Sequence, residues 1–290
     1  MSSEIVVLEE TANLRTYRAP EVASHYAALN YLTPCEQLLF RTYLRPGMSV
    51  LDLGVGGGRT TPYLSRVASR YVGVDYSETM IHACRRKFPN LSFFLADAAD
   101  LSALENASFD AVVFSYNGLD SVVPDQKRLR CLRECRRVLR ADGVLVFSSH
   151  NPRSILLRVD WDRKRLRAFA RTLLSSRSPL FPLVVSGLTM MKATHAFIRS
   201  VSGSALRTIR NLPLAAFWRG EGNLYDPVDG GITVHCSTPK RVVAELAQLD
   251  FRLLQSMGDD YPRHSHSLLT DWYYYVFSKI DHSMDRKSCA

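Results

Sequence analysis

Between residues 20 and 150, short apolar runs alternate with helix-length amphipathic stretches. Residues 50–53 (VLDL), 71–75 (YVGVD), 91–95 (LSFFL), 111–114 (AVVF) and 144–147 (VLVF) are brief and continuous, as strands buried on both faces are. Between them the spacing predicts helices around 21–44, 59–69, 77–87 and 124–140. In the last of these Leu129, Leu132, Cys135 and Leu139 recur at steps of three and four, and Gly143 stands close to where a helix stop is expected. Strands and helices alternating through short loops predict a parallel sheet with helices on both faces.

After residue 151 the alternation stops. Residues 152–222 are rich in Arg, Ser and helix-length apolar patterns, without a clear strand. An amphipathic helix is then expected at 238–249, followed by strands at 251–257 and 272–280, the second aromatic and β-branched. The chain thus reads as one α/β domain. Residues 1–151 form an N-terminal helix and the ligand-binding core, 152–222 a helical insertion, and 223–290 the completion of the same sheet.

Composition changes this picture little, but charge changes it more. The chain is 46% hydrophobic and 22% charged over 290 residues, which excludes disorder and collagen-like repeats. Its 37 Lys and Arg exceed its 28 Asp and Glu, for a net charge of +9. Residues 152–219 hold 13 of the basic residues against only Asp160 and Asp162, so the remainder sums to −2. The basicity belongs to the insertion. The six cysteines show no CxxC or zinc-ligand spacing, so no metal site is expected and reduced thiols are. No signal peptide is read at the N-terminus, and the uncharged stretch at 178–191 is too short to span a bilayer. A cytoplasmic location follows as the expectation.

The densest chemical signal is Asp52-Leu53-Gly54-Val55-Gly56-Gly57-Gly58-Arg59, at an expected strand-to-helix junction. Glycines there let the backbone turn sharply and approach a ligand, and the following helix offers free N–H groups. The dinucleotide pattern G-x-G-x-x-G fails because its sixth position is Arg59, whereas acidic-x-Gly-x-Gly-x-Gly fits at Asp52, Gly54, Gly56 and Gly58. Acidic residues follow the next strands at Asp75 (VGVDYSETM) and at Asp97 (ADAAD), and FDAVVFSYN and LRADGVLVF mark the fourth and fifth.

Taken in this order, these segments resemble the motifs of class I S-adenosylmethionine-dependent methyltransferases. The resemblance covers roughly 20–151 well and 238–280 more loosely. It implies a Rossmann-like, doubly wound seven-stranded sheet, mostly parallel with an antiparallel last strand. It further implies that Asp52 and the loop of Gly54, Gly56 and Gly58 hold the methionine moiety. Asp75 would hold the ribose hydroxyls, which a carboxylate can accept in pairs. Asp97 and Ala98 would hold the adenine, with Met80 as an apolar wall, and Tyr76 and Ser115 complete the implied donor set.

The place where relatives that methylate nucleic-acid nitrogens carry an Asn or Asp with Pro-Pro reads Ser115-Tyr116-Asn117-Gly118, and no cysteine nucleophile is near. Nucleic acid is therefore disfavoured as acceptor. His150, just beyond the fifth strand, is the expected general base because histidine titrates near neutral pH. Tyr116 and Asn117 are expected to orient the acceptor, and His235 reaches the site only if its segment folds back over the strand ends. In the insertion Arg163, Arg167 and Arg171 form an i, i+4 ladder beside apolar residues 179–191. That combination suits an anionic partner or a peripheral membrane contact. The expected activity is methyl transfer to an O or N atom of a small-molecule or lipid-linked acceptor. A binding protein without turnover, a nicotinamide oxidoreductase and an RNA methyltransferase stand as rivals.

Overall fold

The computed structural model describes residues 12–155, 216, 218–226 and 232–281. Five strands in the first half, β1 (Ser49–Leu53), β2 (Arg70–Asp75), β3 (Ser92–Leu95), β4 (Phe109–Phe114) and β5 (Leu139–His150), lie in the order β3-β2-β1-β4-β5 and pair in parallel. Near the C-terminus β9 (Trp272–Lys279) runs antiparallel to β5 from Val144↔Ser278 to His150↔Trp272, and β8 (Phe251–Gly258) runs antiparallel to β9. These are the seven expected strands.

A further hairpin, β6 (Glu221–Asp226) with β7 (Ile232–Ser237), brings the sheet to nine strands among the described residues. It corrects the reading of the insertion's end as strandless, and the boundary drawn between 222 and 223 falls inside β6. The core of the insertion, with Arg163, Arg167 and Arg171, lies outside the described residues. Its place of attachment has a geometric reason. β4 stops at Phe114, opposite Phe147, while β5 continues three residues further. On the side that β4 vacates, β7 pairs with β5 at His150↔Cys236.

Strand alternation sends side chains to two cores, one on each face. Leu51, Leu53, Val112, Phe114, Leu145 and Phe147 pack with Cys131, Leu132 and Cys135 of α6 (Asp125–Val138) and with Val242 and Leu246 of α8 (Pro239–Ala247). Val50, Ala111, Val113, Val144 and Val146 pack with Cys35, Leu39 and Phe40 of α3 (Pro34–Tyr43), Leu64 of α4 (Thr61–Val67) and Ile81 and Cys84 of α5 (Glu78–Lys87). Burying each such side chain contributes about 1.5–3 kcal/mol. The five cysteines among the described residues are buried and take part in no disulfide among those residues.

The single helix expected at 21–44 is instead α2 (Pro20–Ala28) and α3, preceded by α1 (Ala12–Arg18). Pro34 lacks the amide hydrogen that a helix interior needs, so it opens a helix rather than continuing one. Thr33 caps it: its side chain accepts from the Glu36 N–H while Glu36 accepts from the Thr33 N–H. At the other end of the core α6 stops at Val138, and the left-handed residue that follows is Asp142 (φ 58°) rather than Gly143.

Candidate functional site

One cleft opens at the C-terminal ends of β1, β2, β3 and β4, where strand order reverses and open α/β sheets bind ligands. The loop after β1 forms its floor. Gly56 has φ +54°, and a Cβ built there would meet nothing closer than Tyr26 Cδ1 at 3.9 Å, so a side chain would stand in the cleft itself. Gly54 (φ +64°) also lines the cleft, with the Phe114 ring where its Cβ would be. Gly57 is bare because the α2 backbone at Ala27 passes within 2.3 Å of its Cβ position. Gly58 turns away from the cleft toward Phe88 and Cys84, so its part is to shape the loop.

Three carboxylates reach the cleft from successive strands. Asp52 of β1 is buried and accepts from Thr60 Oγ1 and Tyr71 Oη, both at 2.8 Å. Asp75 of β2 accepts from the backbone N–H groups of Gly56 and Ser77, one on each oxygen, both at 2.8 Å. Burial raises both carboxyls to about 6, with those hydrogen bonds pulling the other way. Asp97 beyond β3 accepts from Ala99 N at 2.9 Å and pairs with Lys127 Nζ of α6 at 2.5 Å. Met80, Tyr76, Ala98 and Ser115 also line the cleft. The Tyr76 hydroxyl is buried without a hydrogen-bond partner among the described residues.

The opposite flank is a network of side chains. Glu36 and Arg59 form a buried ion pair at 2.5 Å, and Arg59 also donates to Tyr31 O at 2.8 Å. The guanidinium carbon lies 4.7 Å from the Tyr116 ring centroid and 5.3 Å from that of Tyr31. Ser115 donates to Glu36 as well. Tyr116 (φ 54°) and Asn117 (φ 61°) are consecutive left-handed residues, strain of the kind found at binding sites.

Of the residues expected on the acceptor side, Tyr116 lines the cleft, whereas Asn117 and His150 meet each other behind it, Nδ2 to Nε2 at 3.2 Å. The Trp272 ring stands between these groups, 6.3 Å from Tyr116 and 6.1 Å from His150. His235 does return to the strand ends on β7. Its ring is engaged by Asp125 and Ser237, both at 3.2 Å, and holds the Asp125 carboxyl below the usual range.

Sequence reasoning missed several contributors. Tyr17 and Tyr26 of the first two helices line the cleft, as does Lys127. The Thr33-Pro34-Cys35-Glu36 segment carried a readable capping signal, but nothing in it pointed to Arg59. Asp120 and Trp272 had no local signal at all.

Comparison with known proteins places these features in context. Residues 50–143 match the family model described as a methyltransferase domain. Over 102 residues the chain is 36% identical to a probable S-adenosylmethionine-dependent methyltransferase of Mycobacterium tuberculosis (strain ATCC 25618 / H37Rv), covering 35% of each protein. It is 31% identical over 136 residues to the ubiquinone/menaquinone biosynthesis C-methyltransferase UbiE of Campylobacter jejuni (serotype O:2), covering 44% of this chain and 56% of that one. The matches thus span well under two thirds of those relatives. Among solved structures, the CcbJ methyltransferase of Streptomyces caelestis superposes with a TM-score of 0.56 at 16% identity, covering 92% of this chain and 98% of that one. The 1,6-didemethyltoxoflavin-N1-methyltransferase of Burkholderia thailandensis, solved with bound 1,6-didemethyltoxoflavin and S-adenosylhomocysteine, gives 0.53 at 16% identity, covering 95% and 94%. These two likenesses concern the fold.

Proposed function

We propose that this chain, whose residues 50–143 form a methyltransferase domain of the class I S-adenosylmethionine-dependent family, moves a methyl group to an O or N atom of a small-molecule or lipid-linked acceptor. The observation that carries the reading is the convergence of Asp52, Asp75 and Asp97 with the glycine loop on one cleft. The cleft fits the donor. Gly56 leaves it bare, the Tyr76 hydroxyl is left for a ligand to satisfy, and the Asp75 carboxylate keeps acceptor capacity beyond its backbone contacts with Gly56, Ser77 and Tyr76.

S-adenosylmethionine supplies, when bound, a methyl carbon already activated by its sulfonium. The chain's part is to hold and orient. Asp52 and the loop of Gly54, Gly56 and Gly58 shape the methionine end, Asp75 takes the ribose hydroxyls, and Asp97 with Ala98 takes the adenine between Met80 and Tyr76. Ser115 completes the donor set, Tyr116 faces the acceptor, Asn117 helps to orient it, and His150 removes its proton. The basic insertion over 152–219 favours an anionic acceptor or contact with an anionic membrane surface. No helix among the described residues is long and apolar enough to cross a membrane.

The test is consumption of methyl-labelled donor by the full chain with soluble and lipid extracts taken separately. Label entering a small molecule or lipid supports the proposal. Donor binding by calorimetry without any label transfer would leave a binding protein instead, and label entering RNA alone would make it an RNA methyltransferase.

A further inference from the structure

Asp120 sits in the 3-10 helix Gly118–Ser121 after β4 and is wholly buried. Its carboxylate is committed to the end of β5. Oδ2 accepts from the His150 backbone N–H and faces His150 Nδ1, each at 2.7 Å, and Oδ1 accepts from Ser149 Oγ at 2.8 Å. A carboxylate can only accept, so Nδ1 carries the ring hydrogen and the lone pair of the neutral imidazole lies on Nε2. That nitrogen faces the Asn117 amide NH2. The Asn117 side-chain oxygen is buried without a partner among the described residues, although the Asn117 backbone N–H is fixed to Ser148 Oγ at 2.7 Å.

Resting on the methyl-transfer reading above, we infer that Asp120 is a positioning residue that fixes the His150 tautomer for proton removal, and that Asn117 receives the proton-bearing ring afterwards. The acceptor's O–H or N–H bond breaks as its lone pair bonds to the donor methyl carbon, whose bond to sulfur breaks with the pair staying on sulfur. The released proton reaches His150 Nε2, which lies behind the cleft, through a bridging water past Tyr116 and Trp272, and later goes to solvent. The Asp120 carboxylate stabilises the imidazolium. Rotation of the Asn117 amide turns its partnerless oxygen toward the new Nε2–H, a contact the resting state lacks. The path to the cleft passes Trp272 and Tyr116.

The groups around the ring leave Asp120 as the charged contact. Cys236 is the β7 partner of His150, the Trp272 indole of β9 lies 6.1 Å from the ring, and Tyr275 of β9, whose phenol burial pushes up, interacts with Asp120 and with the Arg128 guanidinium of α6.

The experiment is nitrogen NMR of the full chain with labelled histidine, the His150 signals being identified by their loss in His150→Gln. Wild type should show Nδ1–H and a bare Nε2 at neutral pH. In Asp120→Asn the amide oxygen can take the place of Oδ2 and keep the Nδ1–H tautomer, but with the charge gone ring protonation should move to lower pH, while the thermal midpoint and donor affinity stay near wild type. An Nε2–H tautomer in wild type, or the same titration in Asp120→Asn, would overturn the inference. Because the readout needs no acceptor, it is separate from the fate of the methyl-transfer reading, which fails if S-adenosylmethionine does not bind in calorimetry. With an active extract as acceptor source, Asp120→Asn and His150→Gln should each cost on the order of 10²–10⁴-fold in turnover, and the double variant no more. Multiplying losses would instead assign Asp120 a purely structural part.

Discussion

The two flanks of the cleft are built by different means. On the donor flank the carboxylates of β1 and β2 are held by comparatively near neighbours. Asp75 binds amides two and nineteen residues away, and Asp52 binds hydroxyls eight and nineteen away. The acceptor flank joins residues far apart in the chain: Ser115 to Glu36 across 79 positions, His150 to Asp120 across 30, and Asn13 to Thr233, which ties α1 to the β6–β7 hairpin, across 220. One flank is a product of strand-end turns, while the other exists only once distant segments have packed. Substitutions on the donor flank should therefore act on ligand affinity, and those on the acceptor flank on packing and proton transfer.

The largest effect expected from this division is on stability. Glu36→Gln removes the charge opposite Arg59, whose side chain is 8% exposed. An uncompensated buried guanidinium costs about 3–5 kcal/mol. Denaturant unfolding should read that loss, whereas an unchanged midpoint would mean that the acceptor flank does not depend on the pair.

Protonation should act on the donor flank in the opposite sense to stability. Asp52 and Asp75 titrate at about 6 in the folded chain against an ordinary value of 3.8. Between those values the folded chain binds protons that the unfolded chain has lost, so burial of these groups costs stability above about pH 6 and the cost fades as pH falls toward 4. Donor affinity needs the Asp75 carboxylate and should fall roughly tenfold per pH unit below about 6. Calorimetry at pH 7.5, 6 and 5 reads this directly, and an affinity flat across that range would contradict it.

The smallest effect concerns Lys127, whose ammonium would compete with an adenine amine for Asp97 under the proposed donor placement. The pair is partly exposed, so Lys127→Met should tighten donor binding only about two- to fivefold. A weaker affinity would show instead that Lys127 itself holds the donor.

The same division explains what could be read from the sequence. The glycine loop, Asp52, Asp75 and Asp97 were legible because each stands at or just beyond the end of a short apolar strand, a position the local sequence marks. Gly58 fitted the pattern yet faces α5, since a spacing motif marks the loop's shape without saying which glycine meets the ligand. His150 was found by its position at a strand end, but its distance from the cleft was not, because Trp272 and Asn117 intervene only through tertiary packing. The β6–β7 hairpin escaped because β6 begins Glu221-Gly222-Asn223 and lacks an apolar run. Its pairing is supplied by the overhanging end of β5.

The account is tested most directly by titrating S-adenosylmethionine into wild type, Asp75→Ala and Asp120→Asn side by side. Losing two charge-assisted hydrogen bonds, Asp75→Ala should bind roughly 100-fold more weakly or worse, while Asp120→Asn stays within about twofold of wild type because its carboxylate serves the other flank. Equal affinities in wild type and Asp75→Ala would contradict the donor assignment, and equal losses in the two variants would contradict the division of the cleft.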